Sequence, residues 1–198
     1  MKTGITFIYS AILFTALVAF TSITTDGLYT INTRQSTIEW IGTKITGKSH
    51  FGTINLQVGW LTLKQNKIVG GQFTIDMTSI SCTDIEDPKS NKKLVDHLNN
   101  EDFFAVNQFE TAHLTIISSD DYGNVKAKLT IKDITKDVSF RANTIVENGV
   151  LTASANIEID RSKFDIRYGS DSFFDNLGDK VINNTVQFNI TLTGKSSK

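Results

Sequence analysis

The 198-residue chain contains one cysteine, Cys82, and one proline, Pro88. A single thiol excludes an intramolecular disulfide, a cysteine-based metal cluster and a dithiol redox cycle. It also leaves no cysteine near the N-terminus to carry a lipid. One proline among 13 glycines excludes collagen-like and proline-rich disordered classes. The three histidines, His50, His97 and His113, show neither HxH nor HExxH spacing, which argues against a metal site. No GxSxG elbow is present, and Gly70-Gly71 lacks the lysine and helix of a phosphate loop. Asp84, Glu86 and Asp87 do not have EF-hand spacing and read as a solvated acidic turn. Neither sign of charge dominates: 20 basic and 21 acidic residues give a net charge of -1, so nucleic acid is not an expected partner.

The N-terminus is of a different character. Lys2 precedes an apolar run from Ile5 to Phe20, and no acidic residue occurs before Asp26. This pattern reads as a secretory signal, giving residues 1–22 as an address and 23–198 as one domain. Cleavage after Ala19 or after Ser22 stays open, as does an uncleaved membrane anchor. A lone cysteine in an exported protein of this size favours a bacterial periplasm.

Beyond the address, the chain alternates with period two, the mark of half-buried strands. Val125, Ala127, Leu129 and Ile131 oppose Lys126, Lys128 and Thr130. The same phase holds for Val138, Phe140 and Ala142, for Leu151 through Ile159, for Val186 through Leu192, and for Phe73, Ile75 and Met77. Weaker strands are expected at 28–34, 37–46, 53–65 and 110–118. Turns are expected at Asn148-Gly149, Tyr122-Gly123-Asn124 and Gly70-Gly71. Strands with one polar face and short turns predict an all-β antiparallel meander. About eight of them close most economically into a barrel, with a β-sandwich as the alternative. One helix is expected between 87 and 105, with Asp87 as cap and Pro88 at its first position. A second short helix is expected at 171–177, where Phe173, Phe174 and Leu177 cluster.

The inward faces carry Ala127, Ala142, Ala153 and Ala155. Two readings are open at this point: small side chains leave room for a ligand in an eight-stranded barrel, or they interlock with facing Phe and Leu in a solid core. For catalysis, the candidates are His50 or His97 as acid or base, and Cys82 as a nucleophile with His97. A structural thiol and satisfied histidines are the plainer reading.

Several strings in order resemble the YceI-like family of exported lipid-binding barrels. Tyr29-Thr30-Ile31-Asn32 and Ser36-Thr37-Ile38-Glu39-Trp40 are similar to its first strands, and Ser49-His50-Phe51-Gly52 to its His-x-Gly element. Met77 to Ile80, Leu94 to Leu98 and Glu101 to Phe104 resemble its middle signature. Lys128 to Thr135 is similar to its central hairpin, with Asp133 replacing the usual glycine. The strongest likeness runs from Ile159 to Ile182 and is similar to the branch found in Bacteroidetes-type bacteria.

The resemblance spans about residues 28 to 193. It implies a lipocalin-like barrel of about eight antiparallel strands with one or two short helices. It further implies periplasmic binding of a polyisoprenoid or another long-chain lipid, without catalysis and without a cofactor. An enzyme using His50 or His97, or a barrel serving as a protein-binding surface, is the alternative. A homodimer stays open, and no stable membrane insertion is expected after cleavage. The similar strings contribute Trp40, His50, His97, Phe104, Arg167 and Tyr168 to the candidate ligand site. The inward phase contributes Phe73, Ala127, Leu129, Phe140 and Ala153.

Overall fold

The computed structural model describes residues 25–197. The segment read as a secretory signal, 1–22, lies outside the described residues. Ten strands form one antiparallel sheet: β1 (Gly27–Ile31), β2 (Thr37–Lys44), β3 (Ser49–Thr53), β4 (Asn55–Lys64), β5 (Lys67–Asp76), β6 (Thr111–Ser119), β7 (Asn124–Ile131), β8 (Ile134–Glu147), β9 (Val150–Asp160) and β10 (Ile182–Ser196). One α-helix, α1 (Pro88–Asn99), lies between β5 and β6.

The sheet closes on itself. Successive strands pair from β4 to β10, and β1 pairs with both β4 and β10. β2 and β3 pair with each other, and β2 continues along β10 beyond the stretch paired with β1. Thus β1 with β2, and β3 with β4, are two long wall strands, each broken once. A 3-10 turn at Thr33–Gln35 breaks the first, held by Asn32, whose side chain accepts the Arg34 N–H at 3.1 Å. Ten strands less two breaks leave eight walls in an up-and-down barrel. Closure leaves no long unpaired edge, which is why this arrangement prevails over a sandwich.

The alternation expected from the sequence holds across the walls. Val125, Ala127, Leu151, Ala153, Ile157 and Ile159 are buried, while Lys126, Lys128, Thr152 and Ser154 are exposed. The two-residue turn Asn148-Gly149 has φ of 52° and 76°, the left-handed pair whose twist matches a hairpin. Lys132 and Asp133 form another such turn, at 50° and 59°. Asp133 therefore keeps the tight hairpin in place of glycine; short polar side chains tolerate the left-handed region.

Two local expectations fail. Gly70-Gly71 is not a turn but lies inside β5. A Cβ on Gly71 would stand 2.9 Å from Leu61 Cδ1 and 3.0 Å from the Trp60 carbonyl oxygen, so the glycine admits the neighbouring strand at a bulge. The actual turn is Gln65-Asn66, with φ of 51° and 62°. No helix forms at 171–177; Phe173 and Phe174 sit exposed on turns, followed by a 3-10 turn at Gly178–Lys180. With too few apolar partners facing them, these aromatics gain nothing from a helical face.

The two ends of the barrel differ. Tyr29, Ile31, Leu63, Val125 and Leu151 fill the end near the Gln65-Asn66 and Asn148-Gly149 turns. Helix α1 and the 161–181 segment lie at the other end. Asp87 caps α1 by accepting the Ser90 N–H at 2.8 Å, and Pro88 opens it. Asn91 ties the helix down, donating to the Cys82 and Ile85 carbonyls at 2.9 Å each.

Candidate functional site

Inside the barrel is a cavity of about 700 Å³, within the size range of small-molecule sites. Its walls are apolar: Ile38, Leu56, Phe73, Ile116, Ile157 and Phe188 are among them. The filled end stops it below. At the other end it reaches Thr43, Lys44, Lys48 and His50 on the β2–β3 hairpin, and Ser90, Lys93, Leu94, His97 and Leu98 on α1. The helical positions share one face by their three- and four-residue spacing. No residue of α1 is fully buried, so the helix lies across the mouth and is not a core element.

Nine of the eleven expected site residues line this cavity: Trp40, His50, Phe73, His97, Phe104, Leu129, Phe140, Ala153 and Tyr168. Ala142 and Ala155 line it too. Ala127 does not. It is 0% exposed, opposite Ile116 on β6 and Val138 on β8. A methyl between two larger side chains on the same face ends below their surface. Arg167 does not reach the cavity either. Its side chain is 59% exposed, with Nε donating to Asp165 Oδ1 at 2.5 Å and the guanidinium over the Phe173 ring at 5.2 Å.

The buried guanidinium is Arg161, which is 2% exposed and lines the cavity. Nε donates to the Asn183 carbonyl at 3.1 Å, Nη1 to Ile166 at 2.9 Å and Nη2 to Ile182 at 2.9 Å. It thereby joins the end of β9 to the start of β10. No carboxylate pairs with it among the described residues. Burial pushes its pKa down from the ordinary guanidinium range, and the nearby charges of Asp160 and Asp171 oppose that shift. Guanidinium remains charged in proteins, so this end of the cavity carries a fixed positive charge.

The roof is aromatic. The His97 ring meets Tyr168 edge-on at 4.3 Å between centroids and Phe103 at 5.1 Å. Arg161 lies over Phe103 at 5.9 Å. These contacts dock α1 onto the 161–170 segment.

His50 is oriented by Asp84, whose Oδ2 is 2.7 Å from Nδ1. Asp84 Oδ1 accepts from the Phe51 N–H at 2.9 Å and from the Cys82 thiol at 3.2 Å. Burial pushes the Asp84 carboxyl up, but the Phe51 N–H, His50 and Cys82 outweigh it and hold it below the usual 3.8. Burial first, then the hydrogen bond to Asp84, push the Cys82 thiol up. The thiolate is disfavoured, so Cys82 is unsuited to attack. His50 makes no hydrogen bond through Nε2 among the described residues, so no nucleophile–base pair is formed there. His113 lies between the Thr74 and Thr111 hydroxyls, at 3.3 and 3.2 Å. Among the described residues, no three His, Cys, Asp or Glu side chains are arranged so that they could hold a metal ion.

Close backbone approach shapes the mouth. The Ser81 N–H donates to the Thr53 carbonyl at 2.9 Å and the Thr83 N–H to Phe51 at 3.0 Å, laying segment 81–83 along β3. Trp40 Nε1 donates to the Ser81 carbonyl at 3.0 Å. A Cβ on Gly52 would stand 1.8 Å from the Ser81 carbonyl oxygen, so only glycine fits.

The YceI-like domain model matches residues 29–194, which is β1 through β10 with every element of the cavity. The chain belongs to the YceI-like domain family. Among solved structures, proteins of three organisms are similar to it. Burkholderia cenocepacia BcnA shares 20% identity at a TM-score of 0.63, with 82% of this chain and 98% of that chain covered. A polyisoprenoid binding domain from Saccharophagus degradans, implicated in plant cell wall breakdown, shares 14% at 0.60, covering 85% and 98%. The Campylobacter jejuni YCEI protein shares 19% at 0.51, covering 66% and 74%. At these identities the likeness shows the fold. No curated protein matches the sequence.

Proposed function

We propose that this YceI-like barrel binds one long-chain lipid, of polyisoprenoid type, inside its cavity and does not transform it. The observation that carries this reading is an apolar cavity of about 700 Å³, filled at one end and reaching the surface under α1 at the other. Each CH₂ removed from water contributes about 0.8 kcal/mol, so roughly a dozen buried carbons give about 10 kcal/mol before ordering costs. The description of the Saccharophagus degradans domain as polyisoprenoid binding supports the same ligand class. The lysine and apolar run at the N-terminus support export to a bacterial periplasm. Among the described residues, no helix is long and apolar enough to cross a membrane.

The test is purification from the native envelope without detergent, followed by solvent extraction and mass spectrometry. A stoichiometric long-chain lipid is expected. Protein that emerges empty, and that fails to take up a twenty-carbon isoprenoid alcohol in equilibrium dialysis, refutes the reading. The intact mass of the same sample reports removal of residues 1–22.

A further inference from the structure

The cavity lining is one-sided in charge. It includes Lys44, Lys48, Lys93 and Arg161, but no aspartate or glutamate among the described residues. The whole chain has more acids than bases, 21 against 20, so this bias is not compositional. Lys44 and Lys48 are drawn together by their hairpin, in which the Lys44 N–H donates to the Lys48 carbonyl at 2.8 Å. Lys93 comes to the same mouth on α1. Like charges gathered from two separate elements repel one another unless a counter-charge lies between them.

No protein group supplies that counter-charge. None of the three lysines is within ion-pair distance of a carboxylate among the described residues. Of the nearby acids, Asp84 is engaged with His50, Asp87 with the Ser90 N–H and Asp96 with Lys92, Asp102 lies 3.8 Å from His97, and Glu86 is exposed and forms no ion pair among the described residues. Asp171, Asp175 and Asp179 are exposed on the flanking segment, and Asp171 accepts from Asn184. Arg161 is an independent second observation. Of its five N–H groups, three donate to carbonyls, and the other two have no protein acceptor among the described residues.

We propose that the ligand is an amphiphile with an anionic head, a phosphate, diphosphate or carboxylate, held at the mouth by Lys44, Lys48 and Lys93 while its chain fills the barrel. This rests on the lipid-binding reading and narrows it to a charge class. Arg161, deeper and beside Phe103, adds a fixed positive charge that draws the head inward without contributing a carboxylate's repulsion.

The test uses two chain-matched probes, geranylgeraniol and geranylgeranyl phosphate, at submicellar concentration in equilibrium dialysis. Exposed ion pairs are individually weak, so three acting on one head give about a 10- to 100-fold preference for the phosphate at low salt. The preference should shrink in 0.3 M salt, where the Debye length is below about 8 Å. The triple variant Lys44→Gln, Lys48→Gln, Lys93→Gln should lose the preference yet bind the alcohol as the unmodified protein does, which also reports that it folds. Equal binding of the two probes by the unmodified protein overturns the anionic-head proposal while leaving lipid binding intact. So does a preference that survives in the triple variant. Inorganic phosphate binding as tightly as the ester overturns it too, since the lysines would then be an anion site independent of any chain. Binding of neither probe overturns the lipid-binding reading and this proposal with it.

Discussion

Ala153 and Ala127 face the same interior, and substituting each by tryptophan separates a hollow barrel from a solid one. Ala153 lines the cavity, between Thr144 on β8 and Leu192 on β10. Ala127 is sealed off from it. An indole at 153 projects into open space, so Ala153→Trp should cost less than about 1 kcal/mol of stability. An indole at 127 must displace packed neighbours, and Ala127→Trp should cost about 3 kcal/mol or more. The ligand sees the reverse. The new ring at 153 takes the place of roughly five chain carbons, which at about 0.8 kcal/mol each removes about 4 kcal/mol. That is close to a thousandfold in Kd. Urea denaturation gives the two stabilities, and dialysis against geranylgeraniol gives the affinity of whatever remains folded. If Ala153→Trp loses as much stability as Ala127→Trp, the site is solidly packed and the argument from the cavity fails. If it stays stable but binds the alcohol undiminished, the ligand does not occupy this space.

Three further outcomes follow from the mouth. Gly52→Ala should cost several kcal/mol and open the chain around 81–87 to proteolysis, because its Cβ collides with the Ser81 carbonyl; unchanged resistance to protease would contradict the close approach. Asp84 has a folded pKa below its unfolded value, so its contribution is present above the ordinary 3.8 and is lost as pH falls through the folded value. Stability measured against pH should therefore show a smaller gap between the protein and Asp84→Asn at pH 2 than at pH 6, and a constant gap would refute it. Arg167→Gln should change melting temperature and lipid affinity little, since its partner Asp165 is also solvent-facing; a tenfold loss of affinity would restore Arg167 to the site.

The strands were legible because alternation is a direct consequence of one wall face meeting the interior. Val125, Leu129, Phe140 and Ile157 take the side that their phase assigns. Turn chemistry was less legible. Gln65 and Asn66 carry left-handed backbone without a glycine, whereas Gly70 and Gly71, which look like a turn, serve a bulge in β5. Cavity lining depends on the height of neighbouring side chains, which explains why Ala153 and Ala127 share a phase but not a role. The choice between Arg161 and Arg167 had an available signal. The inward phase of Leu151, Ala153, Ala155, Ile157 and Ile159 continues to Arg161, so a charged residue was marked for the interior. The charge bias of the mouth was not legible, because Lys44, Lys48 and Lys93 converge only once the hairpin and α1 are folded over the same opening.

A barrel filled at one end has a consequence for traffic. A tube open at both ends can work as a conduit, with cargo entering on one side and leaving on the other. Here Tyr29, Ile31, Leu63, Val125 and Leu151 block that route. Any guest must depart through the portal by which it arrived, reversing its direction of travel. Loading and unloading then share one doorway under α1. On the proposed lipid-binding reading, a donor and an acceptor would each have to meet the same face of the protein, one after the other.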